Sequence, residues 1–166
     1  MKKKLLVAIG YCLIIFLWLV NSPSANNDSL IKELLNTASK ELGIEVPDVT
    51  SEKYPSILIV ARQEVEYIVC KNSCNALAAS LGNLVYVADE VDLDTIEGHS
   101  ILYHEMIHAL QYAKFGQAQN CRQWVDREMQ AYQLQDKWAN KQGLNIPWLR
   151  EIQDQLAVSC EAISQI

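Results

Sequence analysis

Between Ser100 and Phe115 the apolar residues fall on two opposite sides of a helical wheel. Leu102, Met106 and Leu110 mark one side, and Ile101, Ile107 and Phe115 border the other. A surface helix carries one apolar stripe, so a helix apolar on two sides is packed between layers. The chain has to fold around this segment. Yet His104, His108 and Gln111 share a face with Phe115, and imidazoles inside a protein need polar partners. A buried histidine pair therefore constrains the fold and the chemistry together.

The pair belongs to His104-Glu105-Met106-Ile107-His108. Residues four apart lie one turn along the same face, so two imidazoles at that interval can grip one metal ion. Glu105 points about 100° away, where it can hold and deprotonate a water instead of ligating. The spacing is that of two zinc ligands and the general base of a metallopeptidase. The plain alternative is a helix with two ordinary histidines and a solvated glutamate.

A catalytic zinc takes three protein ligands and keeps one position open. His99, the one remaining histidine, projects about 140° away from His104 and makes a poor third ligand. A second long helix, about Arg122 to Lys141, offers Asp126, Glu128 and Asp136 instead. Cys121, Trp124, Val125, Ala131, Tyr132, Gln135 and Ala139 fall within about 60° of Glu128 on its wheel. Asp126 lies opposite with Gln123, Gln130 and Gln133, and Asp136 sits at the edge of the stripe. Glu128 is thus the carboxylate most centrally placed on an apolar face. Such a group is costly unless paired or metal-bound, and a salt bridge to Arg or Lys is the alternative.

These residues carry a resemblance. The motif at 104–108, followed twenty residues after His108 by Glu128-Met129-Gln130-Ala131, resembles the gluzincin metallopeptidases. The likeness spans roughly Leu84 to Lys141. It implies an α+β, zincin-like fold: a small mixed or antiparallel sheet packed on the motif helix and a following glutamate-bearing helix. It implies one catalytic Zn²⁺ held by His104, His108 and Glu128, with Glu105 as base and a peptide or protein as substrate. Many members carry an Asp four residues beyond the ligand Glu, holding a zinc-bound histidine; this chain has Tyr132 there. Either its hydroxyl replaces that carboxylate, or metal affinity falls about 10–100-fold. Tyr132, Tyr112 and His99 are candidates for stabilising the oxyanion. The competing class is an exported zinc-binding scaffold or binding module with little or no peptidase activity.

Upstream, Lys2 to Lys4, an apolar run from Leu5 to Val20 and Asn21-Ser22-Pro23-Ser24 have the form of a signal peptide over 1–24, an uncleaved anchor being the alternative. The expectation is a secreted or periplasmic protein with one domain over 25–166. Leaving out the three lysines takes the net charge from −6 to about −9, which argues against nucleic acid and anionic membrane surfaces as partners. Cys70, Cys74, Cys121 and Cys160 then allow three disulfide connectivities. Cys70–Cys74 with Cys121–Cys160 gives one local clip and one staple between C-terminal helices, and a second metal site is the rival.

Elsewhere the pattern predicts a helix from Asp28 to Gly43, a strand Ile57–Ala61 paired with Tyr67–Cys70 across a turn at 63–66, and a short helix Asn75–Ser80 closed by Gly82. A strand Leu84–Ala88 leads into the acidic loop 89–94, and a last helix begins near Pro147. Leu84–Ala88 reads either as sheet core or as an edge strand binding an extended peptide. About 140 residues leave little room for a second lobe with deep subsites.

Overall fold

The computed structural model describes residues 25–71 and 74–163. The expected signal segment, 1–24, lies outside them, as does the side chain of Cys160. The elements are α1 (Ala25–Leu42), β1 (Ser56–Val60), α2 (Arg62–Cys70), β2 (Ala78–Leu81), β3 (Leu84–Ala88), α3 (Ile96–Phe115), α4 (Cys121–Lys141) and α5 (Trp148–Ile163). The fold is α+β, with a mixed three-stranded sheet in the order β1-β3-β2.

Alternation along β3 divides the core. Val85 and Val87 join Leu34, Leu35 and Ala38 of α1, Leu102, Met106 and Ile107 of α3, and Ala131 of α4. Ala88 instead packs with Ala79 of β2 and Val65 of α2. Helix α3 is buried along most of its length, on both sides, because it is packed by α1, α4 and the sheet. Trp138 of α4 stacks on Tyr103, ring centroids 5.4 Å apart. Burial, aided by the charge of Glu41, pushes the Tyr103 hydroxyl up to about 12.

Two local expectations are overturned. Residues 62–70 form α2, not a turn and a strand, and β1 pairs in parallel with β3. No Gly, Pro, Asn or Asp occupies 63–66 to make a turn. Helical spacing instead buries Val65 and half-buries Ile68, while Arg62 bonds Glu66 one turn on. Residues 75–80 are not a helix either. Ala78–Leu81 pairs antiparallel with β3 through a two-residue turn at Gly82-Asn83. Gly82 has φ +69°, at the first central position, where a type II′ hairpin turn takes glycine.

Helix α3 begins four residues before Ser100. Thr95 caps it, its hydroxyl accepting from the Gly98 amide at 3.1 Å. Gly98 is there because a Cβ would stand 2.0 Å from the Asp92 carbonyl oxygen. This contact pins the acidic loop against the first turn. His99 donates from Nε2 to the Leu93 carbonyl oxygen of the same loop at 2.8 Å, because a carbonyl can only accept. Cys70 and Cys74 are disulfide-bonded, and Cys121 is disulfide-bonded too. Among the described residues no helix is long and apolar enough to cross a membrane.

Candidate metal centre

Helix α3 places His104 and His108 one turn apart on the face toward α4, and α4 brings Glu128 to meet them. The two Nε2 atoms are 3.0 Å apart. Glu128 Oε2 is 3.5 Å from His104 Nε2, and Oε1 is 3.3 Å from His108 Nε2. Donors about 2.0–2.2 Å from a tetrahedral zinc lie about 3.3–3.5 Å from one another. The donor set therefore fits one zinc ion, with two imidazole nitrogens and one carboxylate. The salt bridge to Arg or Lys considered for Glu128 is not what the fold makes: its ionic partners are the two histidines.

Electrostatics follow from that convergence. Burial alone would pull the His108 imidazole down, but the hydrogen bond and charge of Glu128, with smaller effects of Glu105 and Gln111, raise it to about 9. Burial would push Glu128 up, and its contacts with His104 and His108 outweigh this, holding the carboxyl well below the carboxylate range. A proton on His108 Nε2 and a metal ion thus compete for the same lone pairs.

Each imidazole is anchored at its other nitrogen. His104 Nδ1 lies 3.0 Å from Gln135 Oε1, and His108 Nδ1 lies 2.9 Å from Gln111 Oε1. Tyr132 does not take the role that its position suggested. Its ring packs on His104, centroids 4.3 Å apart, and burial, with the charges of Glu128 and Glu105, pushes its hydroxyl pKa up. Gln135, three residues further along α4, makes the contact instead. The signal was available, because Gln135 is an amide on the apolar stripe of α4 and Gln111 shares the histidine face of a buried helix, and a buried amide demands partners.

Glu105 is nearly buried, 6 % exposed. The Ser80 hydroxyl of β2 lies 2.6 Å from its Oε2 and 3.2 Å from its backbone carbonyl. Oε1 has no hydrogen bond among the described residues, and Glu105 lines the cleft. Nothing in the sequence marked Ser80.

The site opens into a cleft of about 800 Å³. The edge strand along it is β2; β3 is central, so Leu84–Ala88 is sheet core and not a docking edge. Helix α5 lines the cleft with Trp148, Ile152 and Leu156, and Trp124 of α4 joins them. Tyr132 and Tyr112 line the cleft, whereas His99 is turned to Leu93 and is no oxyanion candidate.

No curated protein and no solved structure matches the chain. Residues 28–162 match the family described as Domain of unknown function (DUF6647), and the chain belongs to that family.

Proposed function

We propose that this protein is an exported zinc-dependent peptidase of the gluzincin type, hydrolysing peptide bonds of a peptide or protein substrate. The observation that carries this reading is the one-ion spacing of His104 Nε2, His108 Nε2 and the Glu128 carboxylate, beside a glutamate with one open oxygen. When bound there, zinc supplies Lewis acidity to a carbonyl and to water.

The chain's own residues do the rest. His104, His108 and Glu128 hold the ion. Glu105 accepts a proton from the attacking water at Oε1 and returns it to the leaving amine. Ser80 fixes Oε2, so the base does not swing away from the cleft. An extended substrate lying along β2 would find unpaired backbone groups on one side and the apolar wall of α5 on the other. Tyr132 and Tyr112, which line the cleft, are the candidates to donate to the developing oxyanion.

The test is metal analysis of the purified chain beside a Glu105→Gln variant, with both assayed on a mixed peptide library. Zinc in both and cleavage only in the wild type supports a peptidase. Zinc in both with no cleavage by either points to an exported zinc-binding module. A chain that takes up no zinc sinks the proposal.

A further inference from the structure

We propose that Gln111 and Gln135 are positioning residues that fix the tautomers of both histidines, so that two Nε2 lone pairs converge on one point. The inference rests on the metal reading above and extends it to residues outside the ligand set.

The argument begins at a backbone atom. Gln111 Nε2 lies 3.2 Å from the Arg127 carbonyl oxygen and 2.9 Å from Gln130 Oε1. A carbonyl can only accept, so it fixes which end of the Gln111 amide is NH₂. The other end, Oε1, then faces His108 Nδ1 at 2.9 Å and can only accept as well. The neutral His108 ring therefore carries its proton on Nδ1, and Nε2 is the atom that offers the lone pair. On His104 Gln135 takes the corresponding position, its Oε1 3.0 Å from Nδ1 and its Nε2 3.1 Å from Ser100 Oγ; with that hydroxyl accepting, Nδ1 carries the proton. Two lone pairs 3.0 Å apart repel, and a proton or a metal ion held between them relieves this. The amides thus present a cation site.

The two anchors differ. Gln111 is tied to an atom that cannot reverse its role. Gln135 is tied to a hydroxyl, which donates or accepts equally well. A carboxylate is accordingly tolerated at 135, where Ser100 can turn its hydrogen toward it, and not at 111, where it would face the Arg127 carbonyl.

The experiment is competition for Zn²⁺ against a chelator by wild type, Gln111→Leu, Gln135→Leu and Gln135→Glu. We expect each leucine variant to bind about 10–100-fold more weakly and Gln135→Glu to return to wild-type affinity or better. A second readout needs no metal. In the ¹⁵N-histidine-labelled chain both Nδ1–H groups should be protected from solvent exchange. Gln135→Leu should expose that of His104 alone, and Gln111→Leu that of His108 alone. A general packing defect would expose both together. Leucine variants with undiminished affinity, or a Gln135→Glu variant as weak as Gln135→Leu, overturn the inference and leave the metal reading standing. A wild-type chain with protected Nδ1–H groups and no zinc keeps the tautomer assignment and removes the metal reading.

Discussion

Ser80 Oγ lies 2.6 Å from Glu105 Oε2, joining the edge strand of the sheet to the residue that the proposed chemistry uses as its base. A hydrogen bond to a charged acceptor contributes about 1.5–3 kcal/mol. Here it also ties one carboxylate oxygen to the edge strand. Ser80→Ala should leave zinc content unchanged and lower kcat roughly 10-fold or more, with a smaller effect on KM. Peptide kinetics with metal analysis check this. Wild-type kcat in the variant would remove Ser80 from the mechanism.

The contact between Glu128 and His108 makes the metal-free fold sensitive to pH. An imidazole whose pKa rises on folding, here from 6.5 to about 9, adds stability that is complete below about 6.5 and lost as pH climbs through about 9. Glu128 is shifted the other way, so its share is complete above 4.5 and lost as pH falls. The two shifts describe one interaction, fully present between about pH 4.5 and 6.5. Melting temperatures of the metal-free chain should decline from about pH 6.5 towards pH 9, and Glu128→Gln should flatten that limb. Equal slopes in both proteins would count against the pairing.

Zinc should displace the proton that this pair holds, so uptake releases acid and tightens as pH rises towards about 9. At one hundred times its Kd a ligand of the folded state stabilises by about 2.7 kcal/mol, or about 5–11 °C in Tm for a chain of this size. Glu128→Ala should abolish most of that gain. Calorimetry with and without zinc measures it, and an unchanged shift in the variant would take Glu128 out of the ligand set.

Gly98→Ala is expected to destabilise by at least about 1–3 kcal/mol, since the new Cβ would meet a backbone oxygen at 2.0 Å. Denaturant unfolding tests this. Because the Asp92 loop abuts the first turn of α3, two turns before His104, zinc affinity should fall with stability. An alanine variant as stable as wild type would mean that the loop yields freely.

Long periodic segments were legible in the sequence. The two-sided apolar pattern of α3 and the single stripe of α4 located both helices and the residues 104, 108 and 128 that the fold brings together. Leu84–Ala88 was legible as a strand because its alternation is clean, though its central place in the sheet was not. Short segments were ambiguous. Tyr67–Cys70 is rich in strand formers, yet Val65 and the Arg62–Glu66 pair favour a helix, and Asn75–Ser80 reads as helical until pairing with β3 overrides propensity. Ser80 left no trace, because a serine on a short strand looks like any solvated residue. Gln135 lies on the apolar stripe of α4, where a buried amide marks a partnered group, but one helical position cannot by itself tell which imidazole it meets.

The spread of the site along the chain has a consequence for the order of folding. The two histidines arrive together on α3, four residues apart. Apart from Gln111 on the same helix, the groups that complete them are distant in sequence: Gln135 lies 31 residues from His104, and Ser80 lies 25 residues before Glu105 on a different layer. Loop closure must precede such contacts. A chain in which α4 has not closed onto α3 therefore carries a pair of imidazoles and no site, since Glu128 and Gln135 both arrive with α4.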